Sequence, residues 1–320
     1  MTENEPEGNT LKDRAKKKLA RDLGPVLMDA LADPKTVEIM ANADGKLWQE
    51  RLGEGMKCIG TISAARAEAI IKTVAGFHAK EITRHKPFLE GELPIDGSRF
   101  AGQIQPIVPA PTFAIRKKAI SIFTLEQYVG AGIMTSQQHQ HLTDAIQKHQ
   151  NILVVGGTGS GKTTLINAIV HKMVELDPAE RVFIIEDTGE IQCAAENYVQ
   201  YHTSLEVSMT MLLKTTLRMR PDRILVGEVR GPEALNLLMA WNTGHEGGAA
   251  TLHANNAKAG LDRLEMLIGM NQDAPRTIGP LIGEVVHIVV HIARTPEGRR
   301  IQEIIEVKGY SDGSYITHSL

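Results

Sequence analysis

Residues 156–164 read GGTGSGKTT and fit the pattern G-x-x-x-x-G-K-[ST] through Gly156, Gly161, Lys162 and Thr163. The pattern stands where phosphate chemistry needs it. An apolar run, ILVV at 152–155, feeds into the loop, and an apolar-periodic run, LINAIV at 165–170, leaves it. Glycines let successive backbone N–H groups turn inward around an anion with no Cβ in the way. The following helix adds its N-terminal amides and the positive end of its dipole. On this reading Gly156, Gly157, Thr158, Gly159, Ser160, Gly161, Lys162, Thr163 and Thr164 line the phosphates of a nucleotide such as ATP. Lys162 would neutralise the β- and γ-phosphates, and the Thr163 hydroxyl would hold Mg²⁺. The competing reading is a tight turn, and the full pattern between a strand and a helix weighs against it.

Hydrolysis also needs an oriented water and a carboxylate near the metal, and open α/β sheets bind ligands at the carboxyl ends of their strands. Two apolar runs end in acids there. VFIIEDTGEIQ at 182–192 carries Glu186, Asp187 and, after a turn, Glu190, while RILVGEVRG at 223–231 carries Glu228 and then Arg230. Glu228 is expected to position and activate the attacking water, since it emerges where a Walker B acid belongs. A glycine precedes it and the usual strand-end aspartate is missing, an unusual form of that motif. Glu190 is the second expected carboxylate, both acids reaching Mg²⁺ through water, and Arg230 completes the set. For each acid the competing reading is a solvated strand end.

A third group is GHEGGAATLHANN at 244–256. A helical H-E-x-x-H would make it a zinc site, but Ala249 stands where the second ligand should be. Gly244, Gly247 and Gly248 also oppose a helix, each costing up to about 1 kcal/mol relative to alanine. The stretch follows the Glu228 strand by one helix, so its TLHAN end is expected at a strand terminus beside the phosphates. His253 there could donate a hydrogen bond to a γ-phosphate with no metal, the alternative being a satisfied core histidine. His245 and Glu246 are expected either to organise this loop or to be plain structure.

The elements that must position these residues change character along the chain. Residues 25–124 mix short patterns: a helix near 25–31, runs at 37–40 and 46–51 joined by Asp44-Gly45, and a helix opened by Ser63 with Ala67, Ile70, Ile71, Val74 and Phe77 in helical spacing. Asp-Gly between apolar runs signals a hairpin, and a second one, Asp96-Gly97, precedes a run at 100–107, with another at 113–117. This reads as a small α+β domain behind a polar segment at 1–24. Residues 125–135, with Gly130 and Gly132, read as a loop-like linker. From 136 to 320 strands alternate with helices: strands at 152–155, 182–186 and 224–226, helices at 162–174, 209–219 and 233–241, then late strands at 285–292, 301–307 and 315–318. That alternation implies crossover connections and a parallel-rich α/β sheet.

Composition narrows the class. Thirty-eight acidic against 35 basic residues leave a formal charge of -3, so nothing global advertises nucleic-acid binding. The two cysteines, Cys58 and Cys193, lie far apart and outside any C-x-x-C, which argues against a disulfide framework or a cysteine zinc site. No run approaches the ~18 apolar residues of a membrane span, and the first residues are charged where a signal core would be apolar. A cytoplasmic protein is expected, with peripheral membrane contact open. Lys12, Arg14, Lys16, Lys17, Lys18 and Arg21 could lie on anionic lipid or nucleic acid, against the plainer reading of a solvated helix start.

Taken together, GGTGSGKTT, IIEDTGEIQ, LRMRPDRILVGEVRG and GHEGGAATLHAN stand in the order and spacing of the secretion superfamily ATPases, which the chain resembles over about residues 95–295. These traffic ATPases serve type IV secretion, type II secretion and type IV pili, and the chain is most similar to their conjugal-transfer branch. The resemblance implies a homo-hexamer whose subunits carry an N-terminal domain and a RecA-like P-loop ATPase domain, with nucleotide between them. It implies ATP hydrolysis with Mg²⁺ in type IV secretion, or conjugative pilus assembly and plasmid transfer. The implied partners are inner-membrane components of that apparatus, met at the cytoplasmic face. Carried over, Lys162 and Thr163 are the P-loop contacts, Glu190 belongs to the Asp box, Glu228 is the Walker B glutamate and His253 the His-box residue near the γ-phosphate. The family brings N-terminal-domain arginines to the phosphates; Arg99 in DGSRF and Arg116 in FAIRKK stand in comparable places, in cis or in trans, against ordinary surface arginines. With two cysteines the chain departs from the type II branch, which commonly carries a tetracysteine zinc insertion. The alternatives are a type IV pilus retraction or assembly ATPase and a RecA-like nucleic-acid motor, with direct DNA binding open.

Overall fold

The computed structural model describes residues 11–320 except 52, 53, 118–122 and 205. Most of the polar segment's first half, and the side chain of Lys12 in the basic run, lie outside the described residues. The chain divides into two compact units, Met1–Ile120 and Ser121–Leu320.

The first unit holds α1 (Leu11–Ala32), β1 (Thr36–Ala41), β2 (Lys46–Arg51), β3 (Lys57–Thr61), α2 (Ala64–Phe77), β4 (Phe88–Glu92), β5 (Arg99–Gln103) and β6 (Thr112–Arg116). Its sheet runs β3-β2-β1-β6-β5-β4 with every pairing antiparallel. The Asp44-Gly45 turn joins β1 to β2 with Gly45 at φ 79°, the left-handed conformation that glycine adopts without strain. Ser63 caps α2 by accepting from Arg66 N, and the helix buries Ala67, Ile70, Ile71 and Val74. The helix expected near 25–31 forms, and a further helical piece precedes it. Gly24, at φ 65°, breaks α1 into two helical pieces, and the Arg66 guanidinium donates to the Arg21 and Asp22 carbonyls that the break exposes.

The second unit runs α3 (Leu125–Gly130), α4 (Ser136–Gln147), β7 (Ile152–Val155), α5 (Lys162–Leu176), β8 (Val182–Glu186), β9 (Tyr198–His202), α6 (Met209–Thr216), β10 (Arg223–Val226), α7 (Glu233–Trp241), β11 (Ala249–Leu252), α8 (Ala257–Gly269), α9 (Gly279–Val285), β12 (Ile288–Thr295), β13 (Gly298–Ser311) and β14 (Ser314–Ser319). Where a loop-like stretch was expected at 125–135, α3 forms with a capping box between Thr124 and Gln127, and Thr135 with Gln138 caps α4 the same way. The hydroxyl-x-x-Gln spacing outweighs the glycines, which fall at and after the end of α3. The apolar run at 285–292 likewise splits between the end of α9 and β12.

The sheet order is β14-β13-β12-β7-β11-β10-β8-β9. The pairs from β12 through β9 are parallel, and β13 and β14 add an antiparallel edge. Strands β7, β8, β10 and β11 are buried at every residue, which is why they read as unbroken apolar runs. Trp241 seals one face by donating to the Ile224 carbonyl at 3.1 Å. Gly248 lies so close that a Cβ there would collide with the Trp241 indole nitrogen and with Ile224 O. Gly248→Ala is therefore expected to lower unfolding stability by about 1–3 kcal/mol through overpacking. An unchanged urea midpoint would mean that the indole has room to move.

Candidate functional site

The carboxyl ends of β7, β11, β10 and β8 bring the sequence-nominated groups to one rim. Beyond Val155 the chain turns through 156–161 before α5, with Gly159 at φ 68° and Gly161 at φ 101°. A Cβ on Gly156 would strike Ile292 O and the Ser160 hydroxyl, so the loop lies directly on β12. Ser160 Oγ is buried and has no hydrogen-bond partner in the structure. A buried, unsatisfied hydroxyl in a loop of this form is the expected signature of an anion site. Lys162 is only 8% exposed, and its ammonium donates to the Gly156 and Gly157 carbonyls at 3.0 Å each.

From Lys162 a polar chain crosses the sheet rim. The ammonium lies 3.4 Å from His253 Nδ1, and His253 Nε2 lies 2.8 Å from Glu228 Oε1. The other Glu228 oxygen accepts from Arg230 Nη2 at 2.6 Å. Arg230 Nη1 donates to Asp187 at 2.9 Å, and Asp187 accepts from the Thr203 hydroxyl at 2.8 Å. Burial lowers the His253 pKa, the Lys162 charge adds to this, and Glu228 does not offset it. The ring is therefore neutral near neutral pH, and the network assigns its proton to Nε2, donating to Glu228. Burial alone would raise the Glu228 carboxyl, but the hydrogen bond and charge of Arg230, with the Lys162 charge and that of His253 once it is protonated at low pH, hold it below the ordinary range.

A second arm fixes Glu190. Its carboxylate accepts from Thr163 Oγ1 at 3.3 Å. Glu186, buried at the end of β8, accepts from Glu190 N at 2.9 Å and Ile191 N at 3.1 Å, and from the Gln200 amide. Asn167 on α5 donates to Glu190 O and accepts from Gln192 N. Burial pushes the Glu186 carboxyl up to about 7, with the donated N–H groups of Glu190 and Ile191 working against it. The glycine before Glu228 has a steric cause: a Cβ on Gly227 would come within 2.7 Å of Glu186 Cβ. An aspartate at that strand end would displace the carboxylate that shapes the Glu190 loop. Beside this rim opens a cavity of about 350 Å³, lined among others by Asp187, Thr203, Ser208, Glu228, Arg230 and Glu233.

Lys162, Thr163, Glu190, Glu228, Arg230 and His253 thus meet in one place. His245 does not join them; its ring nitrogen lies 2.9 Å from Pro221 O and holds the loop. Arg99 and Arg116 belong to the other unit, directly opposite each other on β5 and β6. With Glu92 opposite Arg99 and Glu38 opposite Arg116, they form a cross-strand row of two arginines flanked by two glutamates. Sequence reasoning noticed Glu186 as a strand-end acid but gave it no part, and it missed Asn167 altogether. The signal for Glu186 was its continuity with a wholly apolar strand, which dictates burial. For Asn167, a polar residue within LINAIV was the only trace.

Residues 31–309 match the family described as Type II/IV secretion system protein. The probable conjugal transfer protein TrbB of Sinorhizobium fredii is 49% identical over 94% of this chain and 92% of its own length. Among solved structures, the VirB11 ATPase from the Brucella suis type IV secretion system is 26% identical with a TM-score of 0.51, covering 92% of this chain and 96% of that one. The Legionella pneumophila ATPase DotB, 20% identical with a TM-score of 0.64 over 95% of this chain and 83% of its own, shares the fold.

Proposed function

Given that this chain belongs to the type II/IV secretion system protein family and is an ATPase of type IV secretion and conjugation, we propose that it is the RecA-like, hexameric motor that couples ATP hydrolysis to conjugative transfer. The observation that carries the catalytic reading is the chain Lys162–His253–Glu228–Arg230. It joins a phosphate-loop cation to a depressed carboxylate through a neutral imidazole.

In this reading residues 156–164 cradle the phosphates, and Lys162 leaves its two loop carbonyls for the β- and γ-oxygens. Ser160 Oγ, buried and unsatisfied, gains a partner. Glu228, kept ionised, orients and accepts a proton from the attacking water. His253 exchanges its Glu228 contact for the γ-phosphate and reports its loss on hydrolysis. Arg230 holds Glu228 in line. The N-terminal unit's Arg99 and Arg116 are the candidates for arginines that stabilise transition-state charge. Mg²⁺ fits the oxygen donors here: the Thr163 hydroxyl directly, with Glu190 and Glu228 through water. Among the described residues no three His, Cys, Asp or Glu side chains converge to hold a metal by themselves, so the phosphates would complete its shell. When bound, the ion supplies charge neutralisation at the β- and γ-oxygens.

The relatives' roles support placing the protein at the cytoplasmic face of the inner membrane, against components of a conjugation apparatus. Among the described residues no helix is long and apolar enough to cross a membrane. The test is ATP turnover by wild type and Glu228→Gln, each with and without DNA. Glu228→Gln is expected to slow turnover about 10²-fold while ATP still binds. Turnover at the wild-type rate would remove Glu228 from the chemistry, and strong DNA stimulation of wild type would favour a nucleic-acid motor.

A further inference from the structure

Strands flank β7 on both sides, β11 on one and β12 on the other. β12 pairs with β7 up to His291 opposite Val155. Beyond that point the β12–β13 hairpin overhangs the sheet and runs alongside the loop, with Arg294 opposite Arg299 and Ala293 opposite Arg300. The overhang is anchored: Ile301 N donates to Ile133 O at 2.9 Å, the Arg300 guanidinium donates to Gly132 O, and Thr295 Oγ1 closes the turn onto Gly298 O at 2.9 Å. This fixes the base of Arg299. Its Nε donates to the Gly159 carbonyl at 3.3 Å, and its Cδ would lie 2.9 Å from a Cβ placed on Gly161. The side chain is exposed.

The strand order separates the groups on the two sides of the loop. His253, Glu228, Glu190 and Asp187 all come from β11, β10 and β8, on one side of β7, whereas Arg299 comes from the other side. If the γ-phosphate end faces the acids and His253, the nucleoside end emerges towards the hairpin. The Gly159 carbonyl marks the outer rim of the loop, because the inward-facing groups of an anion cradle are its N–H donors. Arg299 therefore borders the rim over which the nucleoside leaves and not the concavity that holds the phosphates. A guanidinium there presents a planar, weakly hydrated cation suited to stacking on an aromatic base.

We propose that Arg299 is a nucleoside-binding residue, held on the Gly159 carbonyl when the loop is empty and packed on the base when it is filled. This rests on the nucleotide occupying residues 156–164. It predicts an effect blind to the number of phosphates and absent without a base. The test is equilibrium binding, by titration calorimetry on the full chain, of ADP, ATP and inorganic tripolyphosphate, each with Mg²⁺. In Arg299→Ala and Arg299→Gln, ADP and ATP are expected to weaken by a similar factor of about ten, while tripolyphosphate binds as to wild type. That unaltered binding would also show the loop to be intact. Equal weakening of tripolyphosphate, weakening of ATP alone, or unchanged ADP and ATP binding would each overturn the proposal. Failure of a different kind, wild type not binding ATP or Lys162→Ala binding it as tightly as wild type, would overturn the nucleotide site itself.

Discussion

Lys162→Ala is expected to lower ATP turnover by about three orders of magnitude, the scale on which preorganised cations and donors at a transferring phosphoryl group contribute. The magnitude follows from where the ammonium is kept. It is almost fully buried, held by the Gly156 and Gly157 carbonyls and facing His253. A phosphate entering the loop meets a charge already desolvated and aimed, so little reorganisation is left to the transition state. Alanine removes the charge and also leaves those two carbonyls short of a donor. A modest fall in the melting temperature without nucleotide is therefore expected beside the loss of turnover. Turnover within tenfold of wild type, in a variant that melts cooperatively, would show that Lys162 is not the phosphate-facing cation.

The second large effect is on stability, at the opposite rim of the same sheet. Arg223, at the start of β10, is 1% exposed, and Glu180, its ion-pair partner, is 7% exposed. The guanidinium also donates to Gly247 O at 3.0 Å and Ile146 O at 3.3 Å, and lies 3.3 Å from His149 Nε2. Arg223→Ala leaves the buried Glu180 carboxylate to His149 Nε2, 3.1 Å from it, and strands two buried carbonyls, and a cost of about 3–5 kcal/mol is expected. That is a large share of the 5–15 kcal/mol that holds a typical domain together. The double variant Arg223→Met with Glu180→Met is expected to recover much of the loss, since it removes both charges and restores volume. Urea unfolding of the three proteins decides this. A double variant no more stable than Arg223→Ala would mean that the carbonyl contacts, and not the ion pair, dominate.

The second unit was legible because its chemistry and packing use the same residues. Four strands buried on both faces have to be apolar runs, and residues following those runs are placed at the sheet rim by topology alone. Lys162, Glu190, Glu228 and His253 could thus be nominated from type and position. The amphipathic and exposed elements were harder. β9 is an edge strand with exposed or half-buried residues, so period-2 alternation is diluted there. In α3 the glycines suggest a loop, and the capping box of Thr124 and Gln127 overrides them. Second-layer polar groups left almost no trace. Asn167 and Arg299 act through backbone atoms of distant segments, and sequence spacing carries no record of such contacts.

Asn151 gives the sheet a property that the rim chemistry relies on. Its side chain accepts from Gly247 N and Gly248 N, donates to Val285 O, and its backbone N–H meets His287 Nδ1. With the Arg223 cluster beside it, the amino-terminal margin of the strands is pinned like the spine of a book. The opposite margin is joined by pairings, Lys162 to His253 to Glu228 to Arg230, that can be exchanged for a ligand. A change of partner at the free margin would then be passed outward as displacement of the loops that carry it rather than absorbed within the strands.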